Sequence, residues 1–192
     1  LICGVSGQDG ALLAHFLNSK GYIVWGTSRD AQGGSFNNLA RLAIKDKVRM
    51  LSMDPEDFRS VLMALRISVP DEIYFLAGQS SVGLSFEQPA ETIKSITLGT
   101  LNMLEACRLM DNMIRLYHAG SSECFGDVSG LDAANEKTPF HPRSPYAVAK
   151  ASAFWLVDNY REAYSLFACT GLLFNHESPL RPERFVTKKI IN

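Results

Sequence analysis

Leu1-Ile2-Cys3-Gly4-Val5-Ser6-Gly7-Gln8-Asp9-Gly10-Ala11-Leu12-Leu13 decides how the rest of the chain is read. Residues 1–5 are strand-like. Glycines fall at positions 4, 7 and 10, and residues 11–20 follow with a helical spacing that sets Leu12, Leu13, Phe16 and Leu17 on one face. Gly21 closes that helix. Glycine lets the backbone take positive φ and lets an anion come close. The start of a helix adds free N–H groups and the positive end of its dipole. Glycine turns are common by themselves. Standing between a first strand and an apolar helix, this one reads as a phosphate cradle built from Gly4, Gly7, Gln8, Asp9 and Gly10.

The same alternation continues outward. Residues 22–28, 48–52, 72–77, 113–119 and 166–174 read as further strands. Residues 56–68, 90–110 and 144–164 read as helices, the first stopping before Val69-Pro70. Residues 29–38 and 127–145 read as surface loops. This order predicts an α/β fold, a Rossmann-type doubly wound parallel sheet with helices on both faces. Ligands then bind beyond the carboxyl ends of the strands. Residues 1–174 form the expected nucleotide-binding domain, and 175–192 open a substrate-binding region, with 183–192 starting another helix. Both ends read as cut, so a piece of a longer chain is expected.

Composition narrows the functional classes. The chain has 192 residues, 46% apolar and 20% charged, with a formal charge of −1. That balance argues against a broad nucleic-acid surface. No apolar run reaches the roughly 20 residues that span a bilayer, so no membrane partner is expected. The cysteines are Cys3, Cys107, Cys124 and Cys169, with no C-x-x-C pair. No metal site is expected, all four thiols read as buried and inert, and the setting reads as cytoplasmic.

Two further constellations carry chemistry. Tyr146-Ala147-Val148-Ala149-Lys150 sets a phenol and an ammonium at i and i+4, on one face of the last long helix. An ammonium nearby favours the phenolate of a tyrosine whose free pKa is about 10. Ala119-Gly120-Ser121-Ser122-Glu123 follows the fifth strand, where active-site groups belong in this fold. Ser121 can hydrogen-bond a reacting hydroxyl, and Glu123 adds a carboxylate able to take a second proton. With the glycine turn, the Tyr/Lys pair points to a nicotinamide cofactor and a hydride transfer matched by a proton. The second strand ends Gly26-Thr27-Ser28-Arg29 without a carboxylate, and Arg29 can pair with a ribose 2′-phosphate, which favours NADP. Asp54 is set to approach the adenine, and Leu76, Ala77 and Gln79 to pass the middle of the cofactor.

The run Thr138-Pro139-Phe140-His141-Pro142-Arg143-Ser144-Pro145-Tyr146-Ala147-Val148-Ala149-Lys150 and the run Phe174-Asn175-His176-Glu177-Ser178-Pro179 are far more specific. So are Ser85-Phe86-Glu87-Gln88-Pro89 and Phe185-Val186-Thr187-Lys188-Lys189. Through them the whole chain resembles the extended short-chain dehydrogenase/reductases, and within these the GDP-mannose 4,6-dehydratase family. The resemblance implies catalytic roles for Ser121, Glu123, Tyr146 and Lys150, and substrate contacts at Ser85, Glu123, Asn175 and Lys189. It implies oxidation of GDP-mannose at C4, loss of water across C5 and C6 with Glu123 as base, and reduction at C6. The product is GDP-4-keto-6-deoxy-mannose, a precursor of fucose. It also implies a homodimer or homotetramer, through helices 90–110 and 144–164 and loop 29–38.

The chain departs from the family at Ser121, where Thr is usual, and at Ser28-Arg29-Asp30, where a longer basic run is usual. Leu180 and Pro182 stand where Arg and Gly are common. The alternative within the superfamily is a 4-keto-6-deoxy-mannose reductase or an epimerase, which needs no elimination base. A non-catalytic NADP sensor has no use for Ser121, Tyr146 and Lys150 together.

Overall fold

The computed structural model describes residues 1–110, 113–128, 133–182 and 190. Six strands pair in one direction: β1 (Ile2–Cys3), β2 (Trp25–Ser28), β3 (Arg49–Ser52), β4 (Glu72–Phe75), β5 (Arg115–Ala119) and β6 (Ala168–Gly171). Their order is β3-β2-β1-β4-β5-β6, all parallel, as expected for a doubly wound sheet. The chain winds outward from β1 to β3, then returns to start β4 on the other side of β1. That reversal sets a crevice above β1 and β4. The helices are α1 (Gln8–Ser19), α2 (Asn37–Arg41), α3 (Phe58–Ser68), α4 (Val82–Glu87), α5 (Pro89–Ile93), α6 (Gly99–Arg108) and α7 (Pro145–Tyr164).

Successive strand residues point to opposite faces of the sheet, and β1 divides accordingly. Ile2 joins a core with Val5, Ala11, Ala14, Leu17 and Leu39, beneath α1 and α2. Cys3 joins a second core with Val61, Leu65, Phe75, Leu104 and Val157, beneath α3, α6 and α7. Helices therefore cover both faces. Polar caps start several of them. Asp57 accepts the Arg59 N–H at 2.9 Å to open α3, and Ser144 accepts the Ala147 N–H at 3.0 Å to open α7, with Pro145 as its first residue.

The structure shortens every strand relative to the sequence pattern and corrects α1. That helix begins at Gln8 rather than Ala11, and its buried residues are Gly10, Ala11, Ala14 and Leu17. Leu12 and Phe16, expected on the packed face, stand 36% and 54% exposed. The reason is distance. A Cβ on Gly10 would lie 2.4 Å from the Gly4 carbonyl oxygen, so the helix sits too close to β1 for bulky residues at its start. The helix expected over 90–110 exists, but a π-turn at Lys94–Leu98 separates α5 from α6. Cys169 is exposed, against the expectation of four buried thiols, because it lies on the edge strand β6. The helix expected over 183–192 falls outside the described residues, Ile190 apart.

Gly10→Ala should lower stability by about 1–3 kcal/mol, since the added methyl meets backbone rather than a mobile side chain. Thermal unfolding reads this as a drop of several degrees. An unchanged melting temperature would contradict the close approach of α1 to β1.

Candidate active site

The glycine turn is set by close backbone approaches. Gly4 takes φ +85°, and a Cβ there would lie 3.1 Å from the Ala77 nitrogen. The Gly7 N–H donates to the Gly4 carbonyl at 3.1 Å, and Gly7 caps α1 in extended conformation. The result is a helix N-terminus presented over a shallow backbone cradle, with Ala77 against its floor. These residues fit a pyrophosphate. Beside the turn, a cavity of about 880 Å³ is lined by Ser6, Asn37, Asn38, Arg41, Pro179 and Arg181, among others.

The other residues expected around a cofactor are placed unequally. Arg29 is exposed beyond β2 and makes no ion pair among the described residues. Asp30 instead closes its own loop, accepting the Gln32 and Gly33 N–H groups at 3.0 and 2.7 Å. Asp54 is exposed after β3 and accepts the Glu56 N–H at 3.0 Å. Leu76 and Ala77 are half-buried past the end of β4. The Gln79 side chain is spent locally: its amide donates to the Ser81 carbonyl at 2.9 Å and to Thr92 Oγ1 at 3.1 Å, while its oxygen accepts the Ser81 N–H.

Ser121, Tyr146 and Lys150 come together at the carboxyl end of β5. The β5–β6 pairing continues beyond the strands, with Gly120 N–H donating to Gly171 at 2.8 Å and Ser122 N–H to Leu173 at 2.9 Å. This holds Ser121 at the edge, where it caps a 3-10 turn over Ser122–Phe125 and accepts the Glu123 N–H at 3.2 Å. Gly126, at φ +70°, ends the turn; a Cβ there would lie 2.1 Å from the His141 carbonyl oxygen, so only glycine lets the two segments meet. From above, α7 supplies the pair. Lys150 is buried and its Nζ donates to the Ala119 carbonyl at 2.8 Å. The same Nζ lies 5.9 Å from the centre of the Tyr146 ring.

The electrostatics differ from the simple expectation. Burial holds the Tyr146 phenol above its ordinary pKa; a hydrogen bond with Ser121 pulls it back, and the charges of Cys124 and Glu123 oppose that pull. Burial pushes Lys150 down to about 8. Desolvation is thus the largest influence on both groups. Glu123 is exposed. Cys124 is buried under α7 and its thiol is pushed up to about 11 by desolvation.

Among the residues expected to touch substrate, Ser85 is fully buried and donates to the Val82 carbonyl at 2.6 Å inside α4, so its hydroxyl does not reach the crevice. Asn175 is exposed after β6. Lys189 lies outside the described residues. Sequence reasoning missed His118. It is buried on β5, stacked on Phe75, with Nδ1 3.3 Å from Thr170 Oγ1. Burial, and then Lys150, hold its pKa down at about 3, so it stays neutral. The signal was its place two residues after Leu116 on the inward face of a strand. Also missed was the pairing of His176 with Asp9 across the glycine turn, at 2.8 Å. Among the described residues no cluster of His, Cys, Asp and Glu suits a metal ion, and no helix is long and apolar enough to cross a membrane.

A parallel doubly wound sheet with a glycine turn after β1 and a Tyr-x-x-x-Lys pair opposite β5 defines a short-chain dehydrogenase/reductase-type fold. The chain belongs to the GDP-mannose 4,6 dehydratase family, whose model matches residues 1–192. It is 47% identical over 203 residues to a GDP-mannose 4,6-dehydratase of Sinorhizobium fredii, covering 99% of this chain and 56% of that protein. The chain thus spans about half the length of the curated relatives it matches. Among solved structures, it resembles a UDP-glucose 4-epimerase of Thermus thermophilus in complex with NAD, with TM-score 0.76 and 28% identity, over 88% of this chain and 52% of that one. A dTDP-glucose 4,6-dehydratase of Streptomyces venezuelae matches with TM-score 0.85 over 99% of this chain and 60% of that one; at 22% identity this speaks for the fold alone.

His176 offers a pH test of the crevice. Its ring faces the Phe174 carbonyl and the Asp9 carboxylate, and both hold the imidazolium's pKa above the ordinary 6.5, the carbonyl more strongly. The charged pair is complete below that ordinary value and is lost as pH rises through the raised one. An NMR titration should find His176 above 6.5, and Asp9→Asn should lower it; an unmoved value in the variant would contradict the pairing.

Proposed function

We propose that this chain carries the nucleotide-binding and catalytic part of a GDP-mannose 4,6-dehydratase, using NADP. The observation that carries the reading is the Ser121 hydroxyl, Tyr146 phenol and Lys150 ammonium gathered at the end of β5, beside an exposed Glu123 carboxylate with no ion pair among the described residues. The family match supports the substrate, and the epimerase likeness supports a nicotinamide dinucleotide.

In this reading Gly4, Gly7, Gln8, Asp9 and Gly10 hold the pyrophosphate, Arg29 the 2′-phosphate, Asp54 the adenine end, and Leu76, Ala77 and Gln79 the middle. Bound NADP⁺ supplies a hydride acceptor at the sugar C4 and, once reduced, a hydride donor at C6. Ser121 hydrogen-bonds the C4 oxygen, and Tyr146 takes the C4 hydroxyl proton. Lys150, near neutral pH still mostly charged, supports the phenolate. The 4-ketone acidifies C5; Glu123 would take the C5 proton and pass it to the departing C6 hydroxyl, which leaves as water, and the proton taken up by Tyr146 balances the one returned to C5 when C6 is reduced. Its exposure leaves room for a sugar against it. The substrate also meets Asn175 and Lys189, while Ser85 supports α4 from within. We read residues 1–174 as the nucleotide-binding domain and 175–192 as the start of the substrate region. Ile93 on α5, Leu98 in the π-turn that follows, and Val148 and Trp155 on α7 stand exposed and suit pairing with a second copy, in a dimer or tetramer. Free thiols suit the cytoplasm.

The first test is incubation of the protein with GDP-mannose and no added reductant. Formation of a 4-keto-6-deoxy product without net NADPH consumption supports the dehydratase. Reduction of a ready-made keto sugar with NADPH, and no dehydration, would move the assignment to a reductase. Glu123→Gln should still oxidise C4 but slow dehydration by about 10²–10⁴-fold; normal turnover would remove Glu123 from the mechanism. Arg29→Ala should weaken NADP far more than NAD, as read by calorimetry. Equal losses for both cofactors would remove Arg29 from cofactor selection.

A further inference from the structure

The helix that crosses beneath the catalytic pair is interrupted without ending. Backbone angles stay helical at Ile93, Lys94, Leu98 and Gly99, yet Lys94–Leu98 form a π-turn. The wider turn accommodates one extra residue. Such turns are less favourable than regular helix, occur as single insertions, and cluster at functional sites. Lys94-Ser95-Ile96-Thr97-Leu98 contains neither proline nor glycine to force the irregularity.

Several tertiary contacts of this turn reach the candidate site. Ile96 is 1% exposed and packs in one cluster with Tyr146, Ala149 and Ala153, with Val82 at its edge. It also lies under Gly78: a Cβ there would be 3.2 Å from Ile96 Cγ1. Ser95 Oγ accepts the Gln79 N–H at 3.5 Å. Thr97 Oγ1 donates to the Ala149 carbonyl at 3.3 Å, the peptide immediately before Lys150. Consecutive residues of a regular helix point about 100° apart. Here Ile96 and Thr97, neighbours in sequence, both face α7: Ile96 through the cluster with Tyr146, Ala149 and Ala153, and Thr97 through its bond to the Ala149 carbonyl.

We propose that the π-turn Lys94–Leu98 is the positioning device of the proton-handling pair, with Ile96 and Thr97 setting the height and rotation of the first turns of α7. Ile96 is the wedge beneath Tyr146. Thr97 anchors the rung from which Lys150 reaches the Ala119 carbonyl. Because Ile96 and Ser95 also support Gly78 and Gln79, the same five residues tie the Tyr/Lys pair to the segment after β4 that lines the crevice. Neither residue touches the reacting atoms; both act through α7. This assignment rests on the reading of Tyr146 and Lys150 given above.

Thr97→Val removes the hydroxyl and keeps the shape, Thr97→Ser keeps the hydroxyl, and Ile96→Val trims the wedge by one methyl. Two readouts are needed. The first is the ionisation of Tyr146, followed by ¹³Cζ-tyrosine NMR against Tyr146→Phe for assignment, which requires no turnover. The second is kcat against KM on GDP-mannose. Thr97→Val and Ile96→Val should each move the Tyr146 titration and lower kcat on the order of tenfold at near-constant KM. Thr97→Ser should restore both. A Tyr146 titration in Thr97→Val and Ile96→Val identical to the parent protein would overturn the proposal, whatever happens to melting temperature. So would failure of Thr97→Ser to restore it. If the parent protein does not dehydrate GDP-mannose, the functional reading fails on the second readout, while the Tyr146 titration still decides the positioning role.

Discussion

The buried Lys150 ammonium governs the geometry of this protein. A charge taken out of water must find partners or lose its proton, and Lys150 answers in both ways. Its Nζ bonds the Ala119 carbonyl, the last residue of β5, and its pKa falls to about 8. That one bond ties a 20-residue helix to the end of the sheet. Tyr146, one turn earlier, is then carried over Ser121, and the 3-10 turn holding Glu123 is packed between β5 and α7. The neutral His118 lies on β5, buried in the same region, where a second positive charge would be repelled by Lys150.

The two halves of the site meet through different devices. On the cofactor side, the absence of side chains does the positioning: Gly4 and Gly10 let α1 press onto β1 until the helix N-terminus lies over the turn. On the catalytic side, packed side chains do it, with Ile96 wedged between Tyr146 and the segment after β4. The first arrangement leaves room for a ligand; the second removes freedom from the groups that would act on it.

Much of this was legible in the amino-acid pattern. Strands and helices alternate as residues 1–5, 11–20 and their successors suggest, and the Tyr146/Lys150 pair stands at helical spacing behind a serine cap at Ser144. What misled was local amphipathicity. Leu12 and Phe16 mark a plausible buried stripe, but the tight approach at Gly10 turns the small residues inward instead. Ser85 carried a family signal for substrate contact, yet sits inside its own helix. The π-turn carried no marker, because no proline or glycine lies within it.

By itself the sequence determined the alternation of strands and helices, the parallel sheet, the family and the candidate site residues, because these depend on periodicity, turn chemistry and short motifs held within a few residues. The tertiary structure decided what those side chains experience. Burial raised the Tyr146 phenol and lowered the Lys150 ammonium, exposure left Glu123 open, and contacts spanning much of the chain, such as His176 with Asp9, joined the segment after β6 to the start of α1. Desolvation and long-range pairing depend on which distant segments fold together, and no local stretch of residues encodes that.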